Sequence, residues 1–365
     1  MHVQPQPPRH RTTEAPYRAP RVGLQELPVE ESGVRAADDL GEVIRGVRWA
    51  RLRVVFRAEE PLHLPAYKGS TLRGAFGHAF KRIACPFRRQ CETCGHRDVC
   101  VYAYVFETPG STDGSPLMRS SNVAHPFVLE PPETPEGEVN SGELFPLGLI
   151  LVGRAISLAP YFLAACREMG RQGVGRGRGR CRLERVVAED PGDPKGRIVY
   201  DGDRDLLAPA VPPWTLDDLH VGRGSREYVT LEFLTPTRLR QDADLVVRPE
   251  FATLATALLR RISVLAEAHC GGQPPRDPRS ILATARDVRV LNADLRWHDW
   301  ERYSARQHTR MALGGFVGRV TLAGPLAPWW PLLRLGEVLH VGKGTAFGLG
   351  RYRIVERATE GEARP

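Results

Sequence analysis

The sequence lacks any long apolar run. The longest one, from about Phe145 to Val152, is far shorter than the roughly 20 residues that a membrane-spanning helix needs. The N-terminal residues are rich in proline, arginine and glutamine, which is not the apolar pattern of a secretory signal. We therefore expect a cytoplasmic protein with no membrane partner.

Lysine is scarce as well. Only four of the 51 basic residues are lysine, which leaves 47 arginines, and with 43 acidic residues the net charge is +8. A basic balance favours a polyanionic partner, and planar guanidinium groups suit phosphate recognition. An arginine-rich composition also follows from a GC-rich genome, and composition alone leaves both explanations open.

A glycine-rich loop occurs twice in the 365-residue chain. One copy spans residues 170–183 and the other residues 340–353, and each follows a Leu-Ala-Pro-aromatic segment that begins at Leu158 or Leu326. A repeat roughly 168 residues long predicts one folding unit used twice. Glycines at this spacing leave backbone N–H groups to face a phosphate, and the interleaved arginine and lysine supply positive charge.

The apolar periodicity predicts the same order of elements in both halves. The first half reads as a strand at 49–56, a helix at 70–83 with Ser70 as N-cap, two strands, a second helix from about Pro160, and a strand after the glycine loop. The second half repeats strand, helix, strand, strand, helix and strand, which predicts an α+β fold of tandem ferredoxin-like (RRM-like) domains. The predicted boundaries are a disordered or poorly ordered tail at 1–45, a first domain at 46–200 with a Cys-rich insertion at about 85–145, a linker at 201–227 and a second domain at 228–365.

Four of the seven cysteines are clustered. Cys85, Cys91, Cys94 and Cys100 give the spacing C-x5-C-x2-C-x5-C, whose central C-x2-C is a good chelating pair. Four thiolates predict a structural zinc site, in which His96 could replace one cysteine. An iron–sulfur cluster is the alternative metal site, and four free thiols are the alternative without a metal. We expect no catalytic role for a metal here.

Several segments together resemble a known family. The sharpest is residues 342–350, and the supporting segments are residues 64–74, residues 314–318 and the first glycine loop. With the duplication, they are similar to CRISPR-associated endoribonucleases of the RAMP superfamily, which cut precursor CRISPR RNA within its repeats. The resemblance covers roughly residues 48–357. It implies a CRISPR repeat RNA as partner, and cleavage without metal by attack of the 2′-OH, which leaves a 5′-hydroxyl and a 2′,3′-cyclic phosphate.

That reaction needs a base for the 2′-OH, an acid for the leaving 5′-oxygen and donors for the phosphorane. Histidine suits the proton steps because it titrates near neutrality. His78 is our candidate, because it lies on the polar face of the first helix and the family commonly places its catalytic histidine there. The resemblance adds Tyr67 and either Lys81 or Lys68, and His63 is the runner-up histidine.

The resemblance also implies residues that bind RNA. Lys68 and the two glycine loops are expected to meet phosphates, and the segment after residue 301 resembles the polar run that lines the RNA side in the family. The predicted RNA-binding residues are Lys68, Arg176, Arg178, Arg302, Arg306, Gly342, Lys343, Gly344 and Gly348. His340, before the second loop, either contacts RNA or braces the loop.

Two other functions compete with cleavage. A non-catalytic RAMP subunit that binds guide RNA, with other CRISPR effector subunits as partners, would show the same fold, basic face and loops. A nucleotide-binding enzyme is disfavoured because neither loop carries the Lys-Ser/Thr of a P-loop. We expect a monomer or a homodimer.

Overall fold

The computed structural model describes residues 38–87, 91–108, 115–118, 123–132, 137–191, 193–219, 227–241, 244–299, 301–304, 309–312 and 314–355. The strands are β1 (Trp49–Ala58), β2 (Leu62–Leu64), β3 (Phe127–Glu130), β4 (Gly137–Val139), β5 (Leu144–Val152), β6 (Cys181–Asp190), β7 (Asp193–Asp201), β8 (Leu206–Leu207), β9 (Tyr228–Thr237), β10 (Arg240–Gln241), β11 (Asp244–Leu245), β12 (Arg289–His298), β13 (Glu301–Ser304), β14 (Thr309–Ala312), β15 (Gly315–Ala323) and β16 (Tyr352–Val355). The α-helices are α1 (Gly69–Ala84), α2 (Ala159–Gln172), α3 (Phe251–Leu265), α4 (Pro278–Thr284) and α5 (Trp330–Leu339).

Each half contains the same four-stranded antiparallel sheet. In the first half the core order is β3-β5-β1-β6, extended at one edge by β7 and β8, and in the second half it is β12-β15-β9-β16. In both halves the first strand lies between the third and the fourth, and a helix follows the first and the third. This is the ferredoxin-like arrangement, so the predicted tandem fold is confirmed.

The two sheets share apolar packing across their boundary. In β1 the side chains of Leu52, Val54 and Phe56 pack with α1 and α2 in one core. Trp49 at the start of the same strand joins the other core, which contains α3 and α5. Alternate residues of a strand point to opposite faces of its sheet, so the first half contributes to both cores.

Three predicted boundaries differ from the structure. Residues 38–45 are helical, and Leu40, Val43 and Ile44 are buried in the second core, so the predicted tail ends before residue 38. The predicted linker overlaps the first sheet, because β7 and β8 extend it to Leu207. The predicted insertion contains β3, which is a core strand because its four residues are all buried.

The apolar stripe predicted on α1 is mostly confirmed. Leu72, Phe76, Ala79 and Phe80 are buried, whereas Ile83 in the last turn is 42% exposed. In the part of the chain that the structure describes, no helix has both the length and the apolarity needed to cross a bilayer.

A buried carboxylate joins the two halves. Glu130, at the end of β3, accepts hydrogen bonds from Arg51 at 2.8 Å and contacts Arg351 at 3.4 Å and His340 at 3.0 Å. Burial raises the pKa of Glu130, but the hydrogen bond with His340 and the two arginine charges outweigh this effect and bring the pKa to about 2. The carboxylate is therefore ionised and compensated by groups from both halves of the chain.

His340 has no exposed surface and braces the second glycine loop. Its Nδ1–H donates to the carbonyl of Leu349 at 3.1 Å, and its Nε2 faces Glu130 at 3.0 Å. Burial lowers the pKa of His340, and the contact with Glu130 opposes this effect. The backbone of His340 has a φ of 64°, a conformation that a non-glycine residue rarely adopts. Of the two roles predicted for His340, bracing is the one this burial favours.

A second junction lies at the end of α3. His269 donates from Nε2 to the carbonyl of Ala124 at 2.8 Å, and its Nδ1 accepts from the Tyr104 hydroxyl at 3.0 Å. The backbone of His269 lies against Gly153, where an added Cβ would collide with its carbonyl oxygen. Because one ring nitrogen donates and the other accepts, the imidazole is neutral, and its pKa falls to about 4 through burial.

The Glu130 junction predicts a large difference between two neighbouring carboxylates. Glu130→Ala leaves the imidazole of His340 buried without its partner, and we expect the free energy of unfolding to fall by about 3–5 kcal/mol. Glu189 pairs with the same Arg51 at 3.1 Å but on the half-exposed side, so Glu189→Ala is the matched control with a loss below about 1 kcal/mol. Urea denaturation of both variants measures the difference, and equal losses would contradict the junction's importance.

The His269 junction predicts acid lability. The pKa of His269 is about 4 in the folded chain and about 6.5 in the unfolded chain. Between these two pH values the unfolded chain binds a proton at His269 and the folded chain does not. Its stabilising contribution is complete above pH 6.5 and is lost toward pH 4, with a slope of about 1.4 kcal/mol per pH unit. His269→Gln should flatten the pH dependence of the unfolding free energy between these limits by that slope. Parallel curves for the two proteins would show that His269 is not held neutral.

Candidate nucleic-acid interface

His78 lies on the exposed face of α1. An added Cβ at Gly74, one turn earlier, would have no neighbour within 4 Å, so a second backbone has room to approach this face. Lys81 lies three residues further along, with its Nζ 5.2 Å from the centre of the Tyr102 ring. Arg82 pairs with Glu168 of α2 at 3.1 Å and fixes the end of the helix against its neighbour. His78 and Lys81 thus form an open pair on one helix.

Tyr67 and Lys68 lie at the other end of the same helix. The Tyr67 hydroxyl donates to the carbonyl of Phe347 in the second glycine loop at 2.6 Å, and burial raises its pKa well above the usual value. Lys68 is buried, and its Nζ donates to the carbonyl of Ala66 at 3.4 Å. His78 is roughly 14 Å along the helix from its first residue, at 1.5 Å per residue. The structure therefore does not bring Tyr67 and Lys68 together with His78 and Lys81.

The first glycine loop packs on the segment after β1. The backbone N–H of Arg176 donates to the carbonyl of His63 at 3.0 Å, and that of Val174 donates to Gly179 at 2.9 Å. The side chains of Arg176 and Arg178 are exposed. His63, the runner-up histidine, is half-exposed on β2 with its Nδ1 3.6 Å from Glu138.

The second glycine loop lies between the two halves. The backbone N–H groups of Lys343, Phe347, Gly348 and Gly350 each donate to a carbonyl oxygen of the protein, at 2.9–3.1 Å. These N–H groups do not face a phosphate, so for them the predicted cradle is wrong. Gly348 has a φ of 86° and lies against Pro131, where a Cβ would collide. The glycines thus permit a close approach of backbones.

The residues of the second loop differ in their exposure to solvent. Lys343 is exposed, Gly342 and Gly344 are partly exposed, and Gly348 is buried. The predicted contacts of Lys343 with RNA are therefore accessible, whereas Gly348 is covered by protein.

The two loops make equivalent backbone contacts. Arg176 donates to His63 after the first strand of the first half, and Lys343 donates to Arg238 after the first strand of the second half, at 3.0 and 3.1 Å. Arg176 and Lys343 thus make the same kind of backbone contact in the two halves.

A cleft of about 430 Å³ lies between the halves. Its walls include Tyr67 and Lys68 from the first half and Arg296 and His298 from β12. Sequence reasoning missed Arg296 and His298. The sequence around Arg296 and His298 gives little indication of a binding role, because alternating exposed polar residues are common on edge strands of any sheet.

The structure says little about the two remaining predicted RNA-binding residues. Arg302 lies on β13, opposite Met311 of β14, and Arg306 lies outside the described residues.

The four clustered cysteines are separate thiols. In the described part of the chain, no three His, Cys, Asp or Glu side chains are arranged to hold a metal ion, so the predicted zinc or iron–sulfur site is not supported. Burial raises the pKa of Cys91, and Glu107 and the neighbouring thiols add to this against the charge of Lys81.

Two comparisons with known proteins cover the first half of the chain or most of its length. Residues 47–211 match a family model described as an N-terminal domain. An uncharacterized protein of Archaeoglobus fulgidus is 23% identical over 299 residues, which cover 80% of this chain and 93% of that protein.

A solved structure shows the same fold. A Thermus thermophilus Cas6 in a product complex matches with a TM-score of 0.51 and 22% identity, over 84% of this chain and 99% of that one. A second structure of Thermus thermophilus Cas6 matches with a TM-score of 0.49 and 20% identity, over 85% and 99%. Residues 231–352 match the family model of CRISPR-associated endoribonuclease Cas6. The resemblance to CRISPR-associated endoribonucleases is therefore confirmed, and it rests on the match of the second half of the chain to the Cas6 family model.

Proposed function

We propose that the protein is a metal-independent endoribonuclease that cuts precursor CRISPR RNA within its repeats. The observation that carries this proposal is the match of residues 231–352 to the Cas6 family, on a tandem fold that spans both halves of the chain. The 2′-OH attacks the adjacent phosphate, the bond to the 5′-oxygen breaks, and the products carry a 2′,3′-cyclic phosphate and a 5′-hydroxyl.

His78 supplies the proton transfer in this proposal. Its side chain is exposed on a rigid helix, and the space beside Gly74 admits a strand of RNA. At neutral pH an imidazole can accept the proton of the 2′-OH or donate one to the leaving oxygen. Lys81, one turn further on, supports the developing charge of the phosphorane.

Tyr67 has a positioning role. Its hydroxyl proton is already given to Phe347, and the bond ties the start of α1 to the second glycine loop. We propose that this bond sets the orientation of the helix that carries His78. Direct proton transfer by Tyr67 would first require that bond to break.

The RNA is bound by exposed cations outside the catalytic pair. Arg176 and Arg178 in the first loop and Lys343 in the second are exposed and suit contacts with phosphates, which fix position without reading sequence. Further CRISPR effector subunits remain proposed partners.

A second candidate function has a specific observation in its favour. The predicted catalytic trio does not converge, because Tyr67 precedes α1 and His78 lies more than two turns along it. A RAMP subunit that binds guide RNA without cutting it needs no such convergence.

Replacement of His78 tests the proposed chemistry. His78→Ala should lower the single-turnover rate of cleavage of a labelled CRISPR repeat by about 10²–10⁴, with little change in RNA affinity. The matched control is Arg82→Ala, an exposed residue on the same helix whose partner is Glu168. Cleavage should persist in EDTA, and the products should carry the cyclic phosphate.

The outcomes separate the two functions. Cleavage by His78→Ala at the rate of the unaltered protein removes His78 from the site, and loss of cleavage in EDTA contradicts metal independence. Tight RNA binding by the unaltered protein without cleavage of any repeat supports the non-catalytic subunit.

A further inference from the structure

Four cations gather on one face of the second half. Arg238 and Arg240 follow β9, Arg260 lies on α3, and Lys343 extends from the second glycine loop. Arg240, Arg260 and Lys343 are exposed, and Arg238 is partly buried. Only Lys343 was predicted as an RNA contact, because the other three are distant from it in sequence.

The backbone beneath these cations is held by hydrogen bonds. The N–H of Lys343 donates to the carbonyl of Arg238 at 3.1 Å, which joins the glycine loop to the end of β9. The Thr253 hydroxyl donates to the side chain of Gln241 at 3.1 Å, which joins the β10–β11 hairpin to α3. The three elements that carry the cations are thus fixed to one another, so the charges do not separate freely to relieve their repulsion.

Among the described residues, none of the four cations forms an ion pair with a carboxylate, and the buried Nε of Arg238 has no hydrogen-bond partner. Burial lowers the pKa of Lys343, and the charges of Arg240, Arg238 and Arg260 lower it further. Like charges held together cost free energy, which a bound anion would recover.

Two basic residues near the equivalent loop of the first half lie beside carboxylates, whereas Arg176 and Arg178 stay exposed. Near the first glycine loop, Arg180 pairs with Glu60 at 2.8 Å and His63 lies 3.6 Å from Glu138. The duplicated loop keeps its backbone contact in both halves, and in the second half it brings Lys343 close to three arginines from other elements.

We propose that Arg238, Arg240, Arg260 and Lys343 form a binding site for successive phosphates of an RNA strand. The inference rests on the proposed RNA partner and names where its backbone is held. Three of the cations are arginines, whose planar guanidinium groups donate two parallel hydrogen bonds to one phosphate. Binding at this site depends on charge and reads no base sequence.

The test compares two double variants of equal charge. Arg240→Ala/Lys343→Ala removes two exposed cations of the site, and Arg167→Ala/Arg276→Ala removes two exposed arginines that pair with Asp205 and Glu42 elsewhere. Affinity for a fluorescent uridine homopolymer of about fifteen nucleotides is measured by anisotropy over a series of potassium chloride concentrations. Because all four side chains are exposed, both variants should keep the fold, which circular dichroism verifies.

The slope of log affinity against log salt concentration shows whether the two residues contact phosphates. The site variant should lose about 0.7 per phosphate contact, or about 1.4 in total, while the control keeps the slope of the unaltered protein. Equal slopes in the two variants would overturn the proposed site.

The result for the phosphate site is independent of whether the protein cuts RNA. A protein that cuts no repeat RNA but shows the reduced slope loses the proposed cleavage and keeps this phosphate site. A protein that cuts repeat RNA while both variants bind the homopolymer alike keeps the cleavage and loses the site.

Discussion

The buried carboxylate of Glu130 is the constraint on which the arrangement of the two halves depends. An ionised carboxylate in a protein interior is costly unless donors surround it, and here the donors come from both halves of the chain. His340, which contacts it, also holds Leu349 of the second glycine loop. The same loop accepts the hydroxyl of Tyr67 through Phe347 and so reaches the start of α1. One compensated charge thereby sets the distance between the helix that carries His78 and the second sheet.

The repeated architecture could be predicted because its signals are local. Alternation along 49–56 and the stripe of Leu72, Phe76, Ala79 and Phe80 follow from which side of one element is apolar. The glycine loops are visible because positive φ and close backbone approach require glycine at fixed positions, as at Gly348. The boundary of the tail was wrong because residues 38–45 bury their apolar side chains against the distant second half, which no local pattern records.

The candidate site was only partly predictable because its contacts are long-range. The carbonyl of Phe347 lies 280 positions from Tyr67, and nothing near Tyr67 indicates that its hydroxyl is already bonded. The N–H groups of the second loop were expected to face a ligand, but their acceptors are carbonyls such as that of Arg238. The spacing of the cysteines satisfies a metal motif, yet spacing fixes neither the direction of side chains nor their protonation.

Duplication explains why one loop can serve two purposes. A backbone contact between a glycine loop and the strand end that it covers stabilises each domain, and it is retained as Arg176 to His63 and as Lys343 to Arg238. Side chains at the same positions are free to change, because they point to solvent and do not affect that contact. In the first copy Arg180 pairs with Glu60 while Arg176 and Arg178 stay exposed, and a surface pair of this kind adds little stability. In the second copy the repulsion between cations remains. Folding does not require this repulsion between cations, and a bound anion would relieve it. The backbone of the loop therefore has a structural role, and its side chains have a role in recognition.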